Sequence, residues 1–163
     1  MASLQSDMEE YRVQLQKGAI QRAYRGLMET MLALRTHFEQ CCPGYTVSGL
    51  YAGYMDMTYF ALKSTILSER KLKIAIVFLH EEFRFEVWLS GSNRRVQAGY
   101  WERIRQSGWD RYRLVADPQS ADAILEHTLT ADPDFDDLRT LTTLIKRETL
   151  AFARAVEEYL ATH

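Results

Sequence analysis

The chain is poor in the residues that usually announce chemistry. Its only cysteines among 163 residues are the neighbours Cys41 and Cys42; a bridge between them would close a strained eight-membered ring, so reduced thiols are expected. His37, four residues before Cys41, could share its helix face, but three convergent zinc ligands are lacking, and no metal or cofactor is expected. The longest unbroken apolar stretch, Ile74 to Leu79, falls far short of the roughly 20 residues that a bilayer span needs. The segment Met1 to Asp7 lacks the basic-then-apolar order of a secretory signal, so a cytoplasmic location without a membrane partner is the expectation. No Ser-His-Asp pattern, phosphate loop or dinucleotide fingerprint occurs, and no catalytic residue is nominated.

What is there is globular. A hydrophobic fraction of 47% with 26% charged residues excludes a disordered chain, and this length is expected to form a single domain spanning 1–163 that buries about two thirds of its unfolded surface. Charge is nearly balanced at -2 but unevenly placed. From Arg84 to Arg113 there are seven Lys plus Arg and three Asp plus Glu; from Leu114 to His163 there are four and ten. The two segments are expected to meet within one fold or across a homodimer, where opposite potentials attract. Nucleic acid is the sharper reading, because Arg binds phosphate and Trp88, Tyr100, Trp101, Trp109 and Tyr112 could stack on bases. A slightly acidic chain speaks against a dedicated binder.

Ser6-Asp7-Met8-Glu9 fits a capping box and predicts a helix start. Met8, Tyr11 and Leu15 form one stripe, and after Gly18 a second runs through Ile20, Ala23, Leu27, Met31, Leu34 and Phe38 until Pro43-Gly44, both read as packing faces. From Tyr45 the period becomes two, giving one bent strand or a hairpin up to Phe60 with Gly53 as its bend. Lys63 to Lys71 reads as a polar connector, Leu72 to Leu79 as a buried strand, and Phe83 to Leu89 as a strand with one apolar and one mixed face. A helix over Arg94 to Gln106, an edge strand over Trp109 to Val115, and two helices opened by Asp117-Pro118 and Asp132-Pro133 complete the order ααβββαβαα. This is an α+β arrangement: a mainly antiparallel sheet of three to four strands with N-terminal, inserted and C-terminal helices packed on it. The last helix carries a near-heptad seam from Phe135 to Tyr159 that closes the core or pairs with a second copy, with core closure favoured.

Lys17-Gly18-Ala19-Ile20-Gln21-Arg22-Ala23-Tyr24, Gly53 to Phe60, Leu72 to Phe78 and Phe85 to Gly91 are together similar to a family of bacterial proteins known only as a domain of unknown function. The resemblance covers nearly the whole chain, implies a bacterial single-domain protein, and transfers no activity. The order helix, three strands, helix, strand more loosely resembles the restriction-endonuclease-like core. That resemblance implies acidic residues and a lysine holding a divalent ion on the middle strands. Asp56, Glu69 and Lys71 match the spacing, but Glu69 and Lys71 fall in the connector, and Trp88 stands where a lysine would follow Glu86; Lys73 could approach Asp56 instead.

Tyr54, Asp56, Thr58, Arg84, Glu86 and Trp88 are the candidate ligand-binding set, on the condition that the mixed faces of the first and third strands coincide. Two carboxylates, an arginine and aromatic walls would hold a small polar ligand or a protein partner; a cross-strand ion pair is the plainer reading. Asn93, Arg94 and Arg95 form a second, anion-binding candidate at a helix start. The function expected is a non-enzymatic binding domain; the alternative is a nucleic-acid-binding or metal-dependent nuclease-like protein.

Overall fold

Alternation of period two in the middle of the chain builds a sheet, and periods of three to four on either side build the helices that cover it. The computed structural model describes residues 1–163. The elements are α1 (Leu4–Lys17), α2 (Ala19–Cys41), β1 (Thr46–Val47), β2 (Met57–Lys63), α3 (Thr65–Glu69), β3 (Leu72–Leu79), β4 (Arg84–Gly91), α4 (Arg94–Ser107), β5 (Arg113–Leu114), β6 (Leu125–Thr130) and α5 (Leu138–Thr162). All neighbouring strands are antiparallel, in the order β1-β2-β3-β4-β6-β5. The α+β class holds; the sheet has six strands instead of three to four, and the element order differs from the expected one.

Each difference has a physical cause. Ser3 rather than Ser6 caps α1, its Oγ accepting from the Ser6 amide at 3.1 Å, so the helix starts earlier than the capping box implied. The segment after Tyr45 is a hairpin, with Thr46 opposite Lys63. Lys63 to Lys71 holds a short helix whose Leu67 is fully buried. The helix expected after Asp117-Pro118 does not form. Its first turn closes, Ala121 N–H donating to Asp117 O, and then the Ile124 amide donates to Leu89 O at 2.7 Å, and Leu125 to Thr130 pair with β4. The open edge of β4 offers backbone partners that outweigh the helix start, since a buried strand edge without hydrogen bonds is costly. β5 shrinks to two residues against the outer side of β6. At Asp132-Pro133 the helix is delayed to Leu138, capped by Asp137.

Gly18 ends α1 and opens α2 with φ of 80°, a left-handed conformation that lets the chain turn between the two helices. Gly53 has φ of 75°, and a Cβ there would fall 2.0 Å from Met57 O, so the turn into β2 requires glycine.

One hydrophobic cluster joins all layers. Leu27, Met31, Leu34 and Phe38 from α2 meet Phe60, Ile76, Phe78 and Phe85 from the sheet and Ile145, Phe152 and Val156 from α5. The seam of α5 is thus used inside the chain, with nine of its residues buried. The uneven charge is also met internally: Arg94 pairs with Asp122 at 3.2 Å and Arg113 with Glu126 at 3.3 Å. No helix is long and apolar enough to cross a membrane.

Thr149 interrupts the α5 seam. It is fully buried, and its Oγ1 has no hydrogen-bond partner. An unpaired buried hydroxyl costs about 1–3 kcal/mol. Thr149→Val is therefore expected to stabilise the fold by about 1 kcal/mol, read as a Tm rise of roughly 2–4 °C in calorimetry. A lowered Tm would show that the hydroxyl is satisfied after all.

Candidate functional site

Strand register decides what the sheet presents. Thr58, Phe78 and Phe85 stand opposite one another across β2, β3 and β4, and the next row is Tyr59, Val77 and Glu86. Side chains alternate faces along a strand, so the first row belongs to the face under α2 and α5 and the second to the opposite face. Ala61, Ala75 and Trp88 form a further row of that second face. The start of α4 borders one end of it; its middle is roofed by its own side chains, with Val77, Ala75 and Glu86 buried and Tyr59 and Trp88 half-buried.

The six candidate ligand-binding residues are divided by this register. Arg84, Glu86 and Trp88 share the outer face of β4. Arg84 Nε donates to Glu86 Oε2 at 2.5 Å and Trp88 Nε1 donates to Glu86 Oε1 at 2.9 Å, so a carboxylate with only 3% exposure is held from both sides. Thr58 points to the core face instead. Its hydroxyl donates to Ala52 O at 2.6 Å, which leaves the oxygen to accept from His80 Nε2 at 2.8 Å, so the neutral ring carries its proton on Nε2. Asp56 lies in the turn before β2, where Oδ1 accepts from the Tyr54 amide at 2.9 Å. Backbone hydrogen bonds from Tyr54, then from Met57, hold its carboxyl below the usual range, against slight desolvation and with help from His80. Tyr54 itself is 91% exposed.

Asp56 and Glu86 do not share a site. The His80 amide donates to Asp56 O, extending the β2–β3 ladder, and puts Asp56 three residue steps beyond Glu86 and two strands away. With about 3.4 Å per step and about 4.8 Å per strand the separation is roughly 14 Å, whereas carboxylates sharing an ion must stand within a few ångströms of it. Glu69 closes α3, and no group of three or more His, Cys, Asp or Glu side chains is placed to hold a metal ion.

The anion candidates separate as well. Asn93 is the N-cap of α4, accepting from the Val96 amide at 2.9 Å. Arg94 reaches across to Ala121 O and Asp122, tying down the loop before β6. Arg95 turns the other way, toward a hollow it shares with Arg70, Lys71 and Arg103.

Two residues of one set and one of the other do converge. A hollow of about 330 Å³ on the outer face is lined by Tyr51, Tyr59, Lys73 and Trp88, with Asn93 and Arg94 at its α4 end. Tyr51 and Tyr59 lie ring to ring at 5.1 Å, and Lys73 Nζ sits 5.3 Å from the Tyr59 ring centre with no carboxylate paired to it. Tyr59 was legible only as a strand residue, and Lys73, expected to approach Asp56, stands at the opposite end of β3 and meets Tyr59 and Trp88 instead, a convergence that depends on register. His80 was isolated in sequence and meets Thr58 through a separation of 22 residues.

A family model described as a domain of unknown function (DUF7000) matches residues 4–160, and the chain belongs to that family. Comparison with curated proteins and with solved structures finds no match.

Removing the Glu86 carboxylate strands the Trp88 N–H and the Arg84 guanidinium, although Arg84 can rehydrate at 37% side-chain exposure. Glu86→Ala is expected to cost about 1–3 kcal/mol by urea unfolding, with Glu86→Gln costing less because an amide oxygen still accepts from Trp88. Equal losses in the two variants would refute this pairing.

Burial lowers the proton affinity of His80, opposed by the Asp56 charge. Above about pH 6.5 the ring is neutral in both states and its stabilisation is complete. As pH falls below that value the unfolded chain takes the proton first, so stability declines until the depressed folded pKa is passed. Urea midpoints between pH 7 and 5 should therefore fall more steeply for the native protein than for His80→Gln; parallel curves would contradict it.

Proposed function

We propose that the protein is a non-enzymatic binding domain whose outer sheet face takes a small polar ligand carrying a planar ring and a negative group. The observation that carries this reading is the hollow between Tyr59 and Trp88 with the unpaired Lys73 ammonium over the tyrosine ring. Its volume lies at the small end of ligand pockets. Aromatic walls favour a flat ring through stacking. An ammonium without a carboxylate partner supplies the charge such a ligand would complement, and the Arg94 guanidinium beside it is already engaged by Ala121 and Asp122. Ser90 and Gln97 line the floor and end of the hollow, but both are buried and committed: Ser90 Oγ donates to Asp122 O, and Gln97 bonds to Gly91, Pro118 and Ala121. The rigid frame around the hollow is thereby built by the same residues that line it. Two free cysteines fit the reducing interior of a bacterial cell.

Calorimetric titration with benzoate, phenyl phosphate and AMP tests this reading. Saturable binding of at least one probe is expected, weakened tenfold or more by Lys73→Met, which keeps the apolar stem and removes the charge. No binding of any probe at millimolar concentration, or equal binding by Lys73→Met, would reject the site.

A further inference from the structure

The first helix poses a physical problem independent of the ligand hollow. α1 is 14 residues long and none of them is buried. A helix of that length is marginal in water on its own, and helices in proteins are held mainly by burying an apolar face. α1 has such a face: Leu4, Met8, Tyr11 and Leu15 recur at four- and three-residue steps, and the first three are at least half exposed. In its own chain only Leu15, next to the turn into α2, is partly covered.

The same chain leaves a second apolar surface open. Along the start of α2 runs a groove of about 740 Å³, floored by Ala23, Tyr24 and Leu27 and walled by Met55, Phe83 and Phe135. Phe83 is 58% exposed and Met55 55% exposed, with Ile20 and Leu138 also open at the ends. Both Met55 and Phe83 sit at positive φ, 63° and 55°, a conformation uncommon for such side chains. Large apolar residues held outward in a contiguous patch mark an interaction surface.

We propose that the protein forms a two-fold symmetric dimer in which α1 of each copy lies in the apolar groove of the other. Both halves of the contact belong to one chain, which is the condition for a closed, isologous interface. The area is sufficient: at about 200–260 Å² per residue of these types, the open parts of Leu4, Met8, Tyr11 and the groove residues come to roughly 800 Å² per copy, the size of a standard stable interface. Charge at the α2 rim favours the acidic end of the arm: the first half of α1 carries Asp7, Glu9 and Glu10, of which Glu9 pairs with Arg12, and the start of α2 carries exposed Arg22 and Arg25 with no ion-pair partner, although the groove itself is lined by Glu29. Gly18, at φ 80°, separates the arm from the groove-bearing helix.

Light scattering on the full chain after size exclusion, at tens of micromolar, tests the assembly. Twice the 19.0 kDa chain mass is expected. Met8→Glu on the arm and Phe83→Glu in the groove should each weaken dimerisation at least 100-fold, with far-UV circular dichroism confirming that the fold survives. The charge test is sharper. Arg22→Glu with Arg25→Glu in one chain, and Asp7→Arg with Glu10→Arg in another, should each shift toward monomer, while an equimolar mixture of the two should recover the dimer. A monomeric native protein, including one whose arm folds onto its own groove, would overturn the proposal. So would a dimer indifferent to these substitutions, or a mixture that fails to recover.

Discussion

The pairing of β2, β3 and β4 is the constraint on which the rest of the molecule depends. Thr58, Phe78 and Phe85 in one row and Tyr59, Val77 and Glu86 in the next commit every side chain of three strands to one face or the other, because a slip of one residue would exchange the faces completely. The face under α2 and α5 has the larger hydrophobic stake, with Phe60, Ile76, Phe78, Phe85 and Val87 all fully buried. Register follows from that burial. The polar and aromatic character of the other face is then a consequence rather than an independent choice.

Glu86 shows how the middle of the outer face is kept ordered by its own side chains. A carboxylate at 3% exposure is tolerable only when its oxygens are bonded, and here the partners stand two residues away on either side of the same strand. The consequence is an indole held in place at the rim of the hollow. Asp56 does comparable work at the other end of the sheet, where it fastens the turn after Gly53. The two acids that invited comparison with a metal site are each occupied in shaping backbone or side chains nearby.

The helices divide in an instructive way. α1 and α5 both carry apolar residues at heptad-like steps, but α5 is the longer and more apolar helix with the more sharply one-sided stripe. α5 buries nine residues against the sheet and α2, whereas α1 buries none. Position adds to composition: α5 returns across the core face, and α1 is carried off it by the left-handed turn at Gly18. The open groove beside α2 is the counterpart of that departure.

Periodicity was enough to read the α+β class, the break at Gly18, β3, the apolar side of β4, and α4 with its Asn93 cap, since each is a local pattern whose physics acts over a few residues. The helix expected after Asp117-Pro118 failed because the free edge of β4, which takes Ile124 at Leu89, competed for the same backbone groups. Of the candidate site, the cluster on β4 was legible because Arg84, Glu86 and Trp88 alternate within one strand. Its supposed companions were not: Thr58 went to the core face, Asp56 to a turn, and Tyr59 with Lys73 took their place beside Trp88. The sequence by itself determined the long helices, the central strands and which side of each is oily, but not α3 or β6. Only the tertiary structure decided which sides coincide, because strand register is settled by burial summed over three strands and two helices, a quantity no single segment contains.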